Sequence, residues 1–238
     1  MEAPIGPPGA FSPPAVHFQP GDSRSRRGST SARAQPLGET PRPERVASGT
    51  PAQRAAALND IVDWLDVESS ARYQPAPDKT FCNVYAADFC FLAGAYLPRT
   101  WWMASALAAM AAGSATPRPV YAQNIRELRA DDLLAWLQEF GAAFGWRQVF
   151  DLTALQDGVN RGDVGLVCAD RATEGRPGHI VAVVPETPRL QAARDADGRV
   201  QRPVQSQAGA SNHTRIVHAS RWWDDQIKFR DRGFFLHD

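Results

Sequence analysis

The chain has 238 residues, with 26 basic and 26 acidic side chains, so its formal net charge at pH 7 is zero. Hydrophobic residues make up 43% and charged residues 22%, which is typical of a globular protein rather than a disordered or fibrous one. Because the charges balance, the composition gives no support for nucleic-acid binding, and no nucleic-acid partner is expected.

The first 52 residues differ in composition from the rest. Ten of the 19 prolines fall within the first 51 residues, and Ser, Gly and Arg fill much of the remainder. Such a segment cannot bury enough apolar surface to offset the entropy lost on ordering. We therefore expect a disordered tail over residues 1–52 and one folded domain over residues 53–238.

No export signal or membrane anchor is predicted. The N-terminal residues lack the apolar h-region of a signal peptide. The longest apolar stretch, residues 103–112, is too short and too rich in alanine to span a bilayer. The sequence thus predicts a protein made in the cytoplasm without a signal peptide and without a membrane span.

Two helices are predicted at the start of the folded domain. Apolar residues at helical spacing favour an amphipathic helix from residue 53 to about residue 67. A polar stretch follows, and then a strongly apolar helix is expected over residues 80–92, ended by Gly94. The positions that define the first helix are Leu58, Ile61, Val62 and Leu65.

The remainder predicts one more long helix, a helical turn and several strands. Asp131 or Asp132 can cap a helix that ends by Gly145, and a helical turn is expected over residues 153–160. The expected strands cover residues 147–150, 164–169, 179–185, 203–208, 215–220 and 233–236. Helices first and antiparallel strands after predict an α+β fold, with the helices packed on one face of the sheet.

Cys82 and His179 are the candidate catalytic pair. Cys82 stands at the predicted start of a helix, where free N–H groups and the helix dipole stabilise a thiolate. His179 begins a predicted buried strand directly after a glycine, and His is the usual base for a thiol at neutral pH. Taken alone, Cys82 is equally compatible with the core, and a lone His at a strand start is more often structural. Cys90 and Cys168 lie in apolar runs and are expected in the core.

The surroundings of both residues resemble known motifs. Residues 82–88, Cys-Asn-Val-Tyr-Ala-Ala-Asp, are similar to the C-N-x-[FY]-[VA]-x-D motif of NlpC/P60-like and CHAP-like peptidoglycan amidohydrolases. Residues 178–185, Gly-His-Ile-Val-Ala-Val-Val-Pro, resemble the His strand of these families, and residues 159–164 resemble the segment before it. The resemblance covers roughly residues 78–210. It implies a papain-like core, in which a catalytic helix packs on an antiparallel β-sheet that carries the His.

Enzymes of this kind use a third polar residue to orient the imidazole, typically on the strand after the His strand. Gln205 and Gln207 share one face of that strand by its two-residue period. Gln205 is favoured, because the step from Val204 to Gln205 resembles the family's entry into that position. A Gln departs from the usual Asp, Glu, Asn or His, and both glutamines are equally compatible with a solvent-facing strand. Glu186 and Asn212 are weaker alternatives.

Four residues are candidates for substrate binding. Trp101 and Trp102 come from a predicted loop that could line a groove beside the Cys82 helix and stack on a sugar or peptide; packing in a lid or in the core is the alternative. Asn83 and Gln207 complete this set. No metal or other cofactor is expected, because no Cys and His cluster has the spacing of a zinc site.

Four aromatic residues near the C-terminus are weaker candidates for these roles. His213 lies near a polar loop and His218 in a weak strand, so each is a poorer base candidate than His179. Trp222 and Trp223 are expected in the core.

The resemblance implies a cysteine peptidase or amidase that cuts amide bonds in peptidoglycan stem peptides. In the implied reaction Cys82 attacks the carbonyl, His179 protonates the leaving amine, and water releases the acyl-enzyme. The backbone N–H of Cys82 would contribute to the oxyanion hole. Such an enzyme would act in the periplasm or cell wall, after non-classical export or after lysis.

Two other functions stay open on the sequence. One is a translocated effector that acts on protein substrates as a protease or acyltransferase, and the other is a non-catalytic binding module on the same fold. Peptidoglycan is the expected partner, and no residue argues for or against a secretion apparatus or an immunity protein. The bond that is cut and the oligomeric state are likewise undetermined.

Overall fold

The computed structural model describes residues 11–17 and 24–238, which form a mixed α and β structure. The predicted α+β class is confirmed, since the helices precede most of the strands and every strand pair is antiparallel. The helices are α1 (Pro51–Leu65), α2 (Cys82–Leu92), α3 (Ala104–Ala111), α4 (Ala130–Glu139) and α5 (Leu152–Asn160). The strands are β1 (Thr100–Trp102), β2 (Ile125–Glu127), β3 (Trp146–Val149), β4 (Val164–Arg171), β5 (His179–Val183), β6 (Ala193–Arg194), β7 (Val200–Arg202), β8 (Gln205–Gln207), β9 (His213–Ile216) and β10 (Phe229–His237).

A six-stranded sheet forms the centre of the fold. Its strand order is β3-β10-β4-β5-β8-β9, so the C-terminal strand is inserted between β3 and β4. Two small two-stranded sheets, β1-β2 and β6-β7, lie outside it, and neither was predicted. The central strands β4 and β5 are almost wholly buried, which explains why their sequences read as continuous apolar runs rather than alternating ones.

Helix α2 packs against β5 and β8 of this sheet. Nine of its 11 residues are buried, so it is covered on nearly all sides. Helix α1 packs against α2 and α5, and its buried residues are the four apolar residues that the helical spacing identified. Helix α1 begins with Pro51 after Thr50, whose side chain caps the first turn together with Gln53.

Helix α4 begins differently from the expectation. Its N-cap is Arg129, and Asp131 and Asp132 lie inside the first turn. The Asp132 carboxylate accepts a hydrogen bond from the backbone N–H of Arg129 at 2.9 Å. An acid in the first turn therefore satisfies the backbone N–H of the N-cap residue. Gly145 follows a short 3-10 helix after α4 and takes the left-handed conformation, with φ of 87°.

The N-terminal segment is where the structure departs most from the expected disordered tail. Residues 24–50 lack helices and strands, yet they lie against the domain, and Leu37 and Ser25 are fully buried. The Arg72 guanidinium donates to the backbone carbonyls of Ala32 and Gln35 at 3.4 and 2.8 Å. Backbone carbonyls held by arginines therefore order a segment whose composition is poor in apolar residues. The parts of the expected tail at residues 1–10 and 18–23 lie outside the described residues.

Across the described ranges, no helix combines the length and the apolar character needed to cross a membrane.

Candidate active site

Cys82 is the first residue of α2. It is 4% exposed and lines a cleft of about 1380 Å³ at the surface of the domain. The residue before it, Phe81, provides no side-chain cap, and within the first turn the Val84 N–H donates to the Asn83 Oδ1 at 3.0 Å. This start of α2 therefore directs backbone N–H groups and the positive end of the helix dipole towards the Cys82 sulfur.

His179 is the first residue of β5 and lines the same cleft. Its position depends on Gly178, because a Cβ atom built on Gly178 would lie 2.1 Å from the backbone oxygen of Ala169 on β4. Only glycine allows β5 to approach β4 this closely at the point where His179 begins. The Gly-His step of the sequence thus has a direct steric cause.

Cys82 and His179 lie close enough for each to shift the pKa of the other. Burial by itself would raise the pKa of the Cys82 thiol. The charge and hydrogen-bonding capacity of His179, together with the backbone N–H groups of Ile180 and Asn83, outweigh burial and bring that pKa below its ordinary value. Burial would lower the pKa of His179, but the thiol of Cys82 and the amide of Gln207 raise it above its ordinary value. Each shift is in the direction that stabilises a thiolate beside an imidazolium.

Gln207 determines which ring nitrogen of His179 faces the thiol. Its Oε1 lies 3.0 Å from Nε2 of His179, and its Nε2 donates to the carbonyl of Ser211 at 3.4 Å. Because that amide oxygen can only accept, Nε2 of His179 carries a proton, and Nδ1 is left to exchange a proton with Cys82. Gln207 is thus hydrogen-bonded to His179, which lines the same cleft as Cys82.

Gln205, the favoured third residue, does not contact His179 in this arrangement. It lies opposite Val183, at the end of β5 away from His179, whereas the antiparallel pairing brings Gln207 closer to His179. Gln205 instead accepts a hydrogen bond from the indole Nε1 of Trp222 at 2.9 Å. The register between β5 and β8 brings Gln207, rather than Gln205, to His179.

Trp222, which was expected in the core, is part of the candidate site. Its ring packs edge to face on His179, with 4.9 Å between ring centroids, and it lines the cleft. Trp223 is buried, as expected. Trp222 differs from Trp223 in its hydrogen bond to Gln205 and its contact with His179. Both partners are distant in sequence, so the local pattern around Trp222 does not reveal its place in the site.

His218 also reaches Gln207. Its Nε2 lies 3.3 Å from the same amide oxygen that accepts from His179, and it lines the cleft. Burial lowers the pKa of His218, and the nearby charges of His213 and His179 lower it further. A neutral His218 can thus share the oxygen of Gln207 without adding a second positive charge beside His179.

Two expected substrate-binding residues lie elsewhere. Trp101 and Trp102 are only 4% and 3% exposed and do not line the cleft. Trp101 packs against Trp136 with 5.6 Å between centroids, and Trp102 donates from Nε1 to the carbonyl of Pro14 at 2.8 Å. Both belong to the core, because helix α4 and the N-terminal segment cover strand β1.

Asn83 lines the cleft, and its side chain also has a structural role. Its Nδ2 donates to the carbonyl of Leu128 at 2.8 Å, so it ties the start of α2 to the segment after β2. The weaker alternatives for the third residue do not contact His179: Glu186 is paired with Arg194, and Asn212 donates to the carbonyls of Val67 and Tyr73.

The other two cysteines are fully buried, as expected. Burial raises the pKa of the Cys90 and Cys168 thiols, whereas the pKa of Cys82 is lowered. All three cysteines are free thiols. Among the three thiols, that of Cys82 alone has a pKa shifted in the direction that favours the thiolate.

Cations outnumber anions among the residues that line the cleft. Of the four acidic lining residues, Glu127, Asp224 and Asp225 are each ion-paired, and Asp78 is exposed. The basic lining residues are Lys79, Arg99, Arg129, Arg171, Arg176, Arg221 and Lys228.

Within the described part of the chain, no group of three or more His, Cys, Asp or Glu side chains is placed to hold a metal ion. No protein-family model matches the chain, and no match to a curated protein is found.

Proposed function

We propose that this protein is a cysteine amidohydrolase that cleaves amide bonds in bacterial peptidoglycan stem peptides. The observation that carries the proposal is that Cys82 and His179 line one cleft and shift each other's pKa, while Gln207 is hydrogen-bonded to His179. Catalysis by a thiol needs a stabilised thiolate, a base that exchanges its proton, and a group that orients the base. These three requirements correspond to the three residues, and the arrangement resembles that of papain-like enzymes.

The proposed reaction is acyl transfer in two steps. The Cys82 thiolate attacks the amide carbonyl carbon, and the imidazolium of His179 gives its Nδ1 proton to the nitrogen of the leaving amine as the C–N bond breaks. Water then adds to the thioester while His179 takes its proton, and the C–S bond breaks to return the thiolate. The backbone N–H of Cys82 is the proposed donor to the oxyanion in both steps.

Peptidoglycan enters the proposal through the motif resemblance around Cys82 and His179. The open cleft of about 1380 Å³ is large enough for an extended peptide. With this substrate, the proposed place of action is the periplasm or cell wall, reached by non-classical export or by lysis.

The experiment is digestion of purified sacculi by the wild type and by Cys82→Ala, with mass spectrometry of the released fragments. We expect new amine and carboxyl ends from the wild type alone, since Cys82→Ala removes only the nucleophile. Cys90→Ala is the matched control and should retain lysis, provided that both variants give the wild-type circular dichroism spectrum. Full lytic activity of Cys82→Ala would refute the proposal.

The same proteins separate the two alternative functions. Cleavage of a protein substrate without cleavage of sacculi would favour a protease acting on proteins. If Cys82 reacts with iodoacetamide no faster than Cys90 or Cys168 near neutral pH, the thiolate is not activated, and a non-catalytic binding role is favoured.

A further inference from the structure

The cleft contains an arginine that lacks an acidic partner. Arg171 is the last residue of β4 and lines the cleft together with Cys82 and His179. No acidic side chain of the described residues forms an ion pair with it. Its Nε is buried and has no hydrogen-bond partner among these residues. A partly buried guanidinium of this kind carries an unmet demand for an acceptor.

The position of Arg171 is fixed by an aromatic ring. Its guanidinium carbon lies 4.9 Å from the ring centroid of Phe229, its cross-strand neighbour on β10. Stacking on one face leaves the N–H edge of the guanidinium available for an oxygen acceptor. By contrast, the adjacent acid Asp170 is paired with Arg230 at 2.6 Å, so it does not neutralise Arg171.

The acidic residues that line the cleft do not supply a partner for Arg171. Glu127 is paired with Arg99, Asp224 with Arg221, and Asp225 with Lys228. Of the acidic residues that line the cleft, these three already have cations, and Asp78 is exposed at its rim. A ligand that enters therefore meets a free guanidinium beside the catalytic pair.

We propose that Arg171 binds a carboxylate of the substrate and makes the enzyme selective for acidic acyl donors. The planar guanidinium edge matches a carboxylate through two parallel N–H···O bonds. The positive charge of Arg171 acts on His179, where it lowers the imidazole pKa, so it is close enough to influence a negative charge at the reacting centre. A bound carboxylate would neutralise this charge and favour the imidazolium that protonates the leaving amine. The inference rests on the proposed function, because it assigns the acyl part of that substrate.

A pair of small alkylating agents tests the inference without requiring the natural substrate. Iodoacetate and iodoacetamide both react as the Cys82 thiolate forms an S–C bond and iodide leaves with the bonding electrons, but only iodoacetate carries a carboxylate. Peptide mapping by mass spectrometry gives each rate at Cys82. The measured quantity is the ratio of the iodoacetate rate to the iodoacetamide rate.

We expect Arg171→Gln to lower this ratio about fivefold or more at low ionic strength, while the iodoacetamide rate changes little. The difference should shrink as salt is added. Arg189→Gln removes the same charge from an exposed position outside the cleft and should leave the ratio unchanged. An unchanged ratio in Arg171→Gln, with Cys82 still reactive, would overturn the inference alone, whereas an unreactive Cys82 in the wild type would count against the proposed function.

Competition separates the two sources of a peptide carboxylate. N-acetylalanine offers a terminal carboxylate, and the α-amide of N-acetylglutamate offers a side-chain carboxylate. The one that slows alkylation of the wild type, but not of Arg171→Gln, identifies the source. Slowing by neither at any attainable concentration would contradict carboxylate binding.

Discussion

Gln207 holds the candidate site together at the scale of single residues. One amide oxygen accepts from Nε2 of His179 at 3.0 Å and lies 3.3 Å from Nε2 of His218. A neutral amide orients the ring and favours its protonated form, although less strongly than a carboxylate does. In the proposed reaction, the protonation of Cys82 therefore depends on Gln207 through the imidazole of His179.

Two substitutions of Gln207, to Ala and to Glu, should move the alkaline limb of the pH profile in opposite directions. The active form pairs a thiolate with an imidazolium, so kcat/KM rises as Cys82 loses its proton and falls as His179 does. Gln207→Ala removes a group that raises the pKa of His179, so the alkaline limb should move to lower pH and kcat/KM should fall about tenfold at pH 7.

Gln207→Glu supplies a carboxylate that favours the imidazolium, so its alkaline limb should move to higher pH. Gln138→Ala, at an exposed position on α4, is the control and should keep the wild-type profile. Shifts in the same direction for both Gln207 variants would show that the residue acts through packing alone.

At the scale of elements, α2 is held by a buried ion pair. Asp88 of α2 receives hydrogen bonds from Arg72 at 2.6 and 3.2 Å and from the hydroxyl of Tyr73 at 3.0 Å. The side chains of Arg72 and Asp88 are 0% and 3% exposed. Because Arg72 also holds the N-terminal segment, this pair connects the helix that carries Cys82 to residues 24–50.

Loss of the Asp88 carboxylate should destabilise the domain strongly. Asp88→Ala leaves the Arg72 guanidinium buried without its partner, which typically costs about 3–5 kcal/mol. Urea denaturation should show this loss as a lower transition midpoint. Asp197→Ala removes a carboxylate from an exposed pair at 3.8 Å and should change the free energy of unfolding by less than about 0.5 kcal/mol. Equal stability of the two variants would contradict the role of Asp88.

At the scale of the whole molecule, the N-terminal segment belongs to the folded unit. Residue 37 is fully buried although it lies within a stretch rich in Pro, Ser and Arg. Arg45 donates to the carbonyl of Ala93 after α2 and to the C-terminal residue Asp238 at 3.0 and 2.7 Å. The segment therefore bridges α2 and the end of the chain.

The burial of Leu37 predicts a measurable contribution to stability. Leu37→Ala should lower the free energy of unfolding by about 2–5 kcal/mol, because a fully buried leucine leaves a cavity when it is truncated. Val46→Ala is the matched control within the same segment, since Val46 is 64% exposed, and its effect should stay within about 0.5 kcal/mol. A disordered segment would instead give the same denaturation midpoint for both variants.

The sequence by itself determined the features that depend on neighbours along the chain. Helical spacing located the buried face of α1, apolar runs located β4 and β5, and a Gly-His step located the start of β5. Cys82 was identified from its place at a helix start. These inferences succeed because burial and helix capping leave a periodic or local trace in the residues concerned.

The tertiary structure alone decided which distant groups meet. The register of β5 and β8 chose Gln207 over Gln205, and Trp222 reaches His179 from a separate C-terminal segment. The burial of Trp101 depends on α4, and the order of residues 24–50 depends on backbone carbonyls that meet Arg72. Cross-strand register and main-chain acceptors leave no periodic trace in the side chains, so local patterns cannot report them.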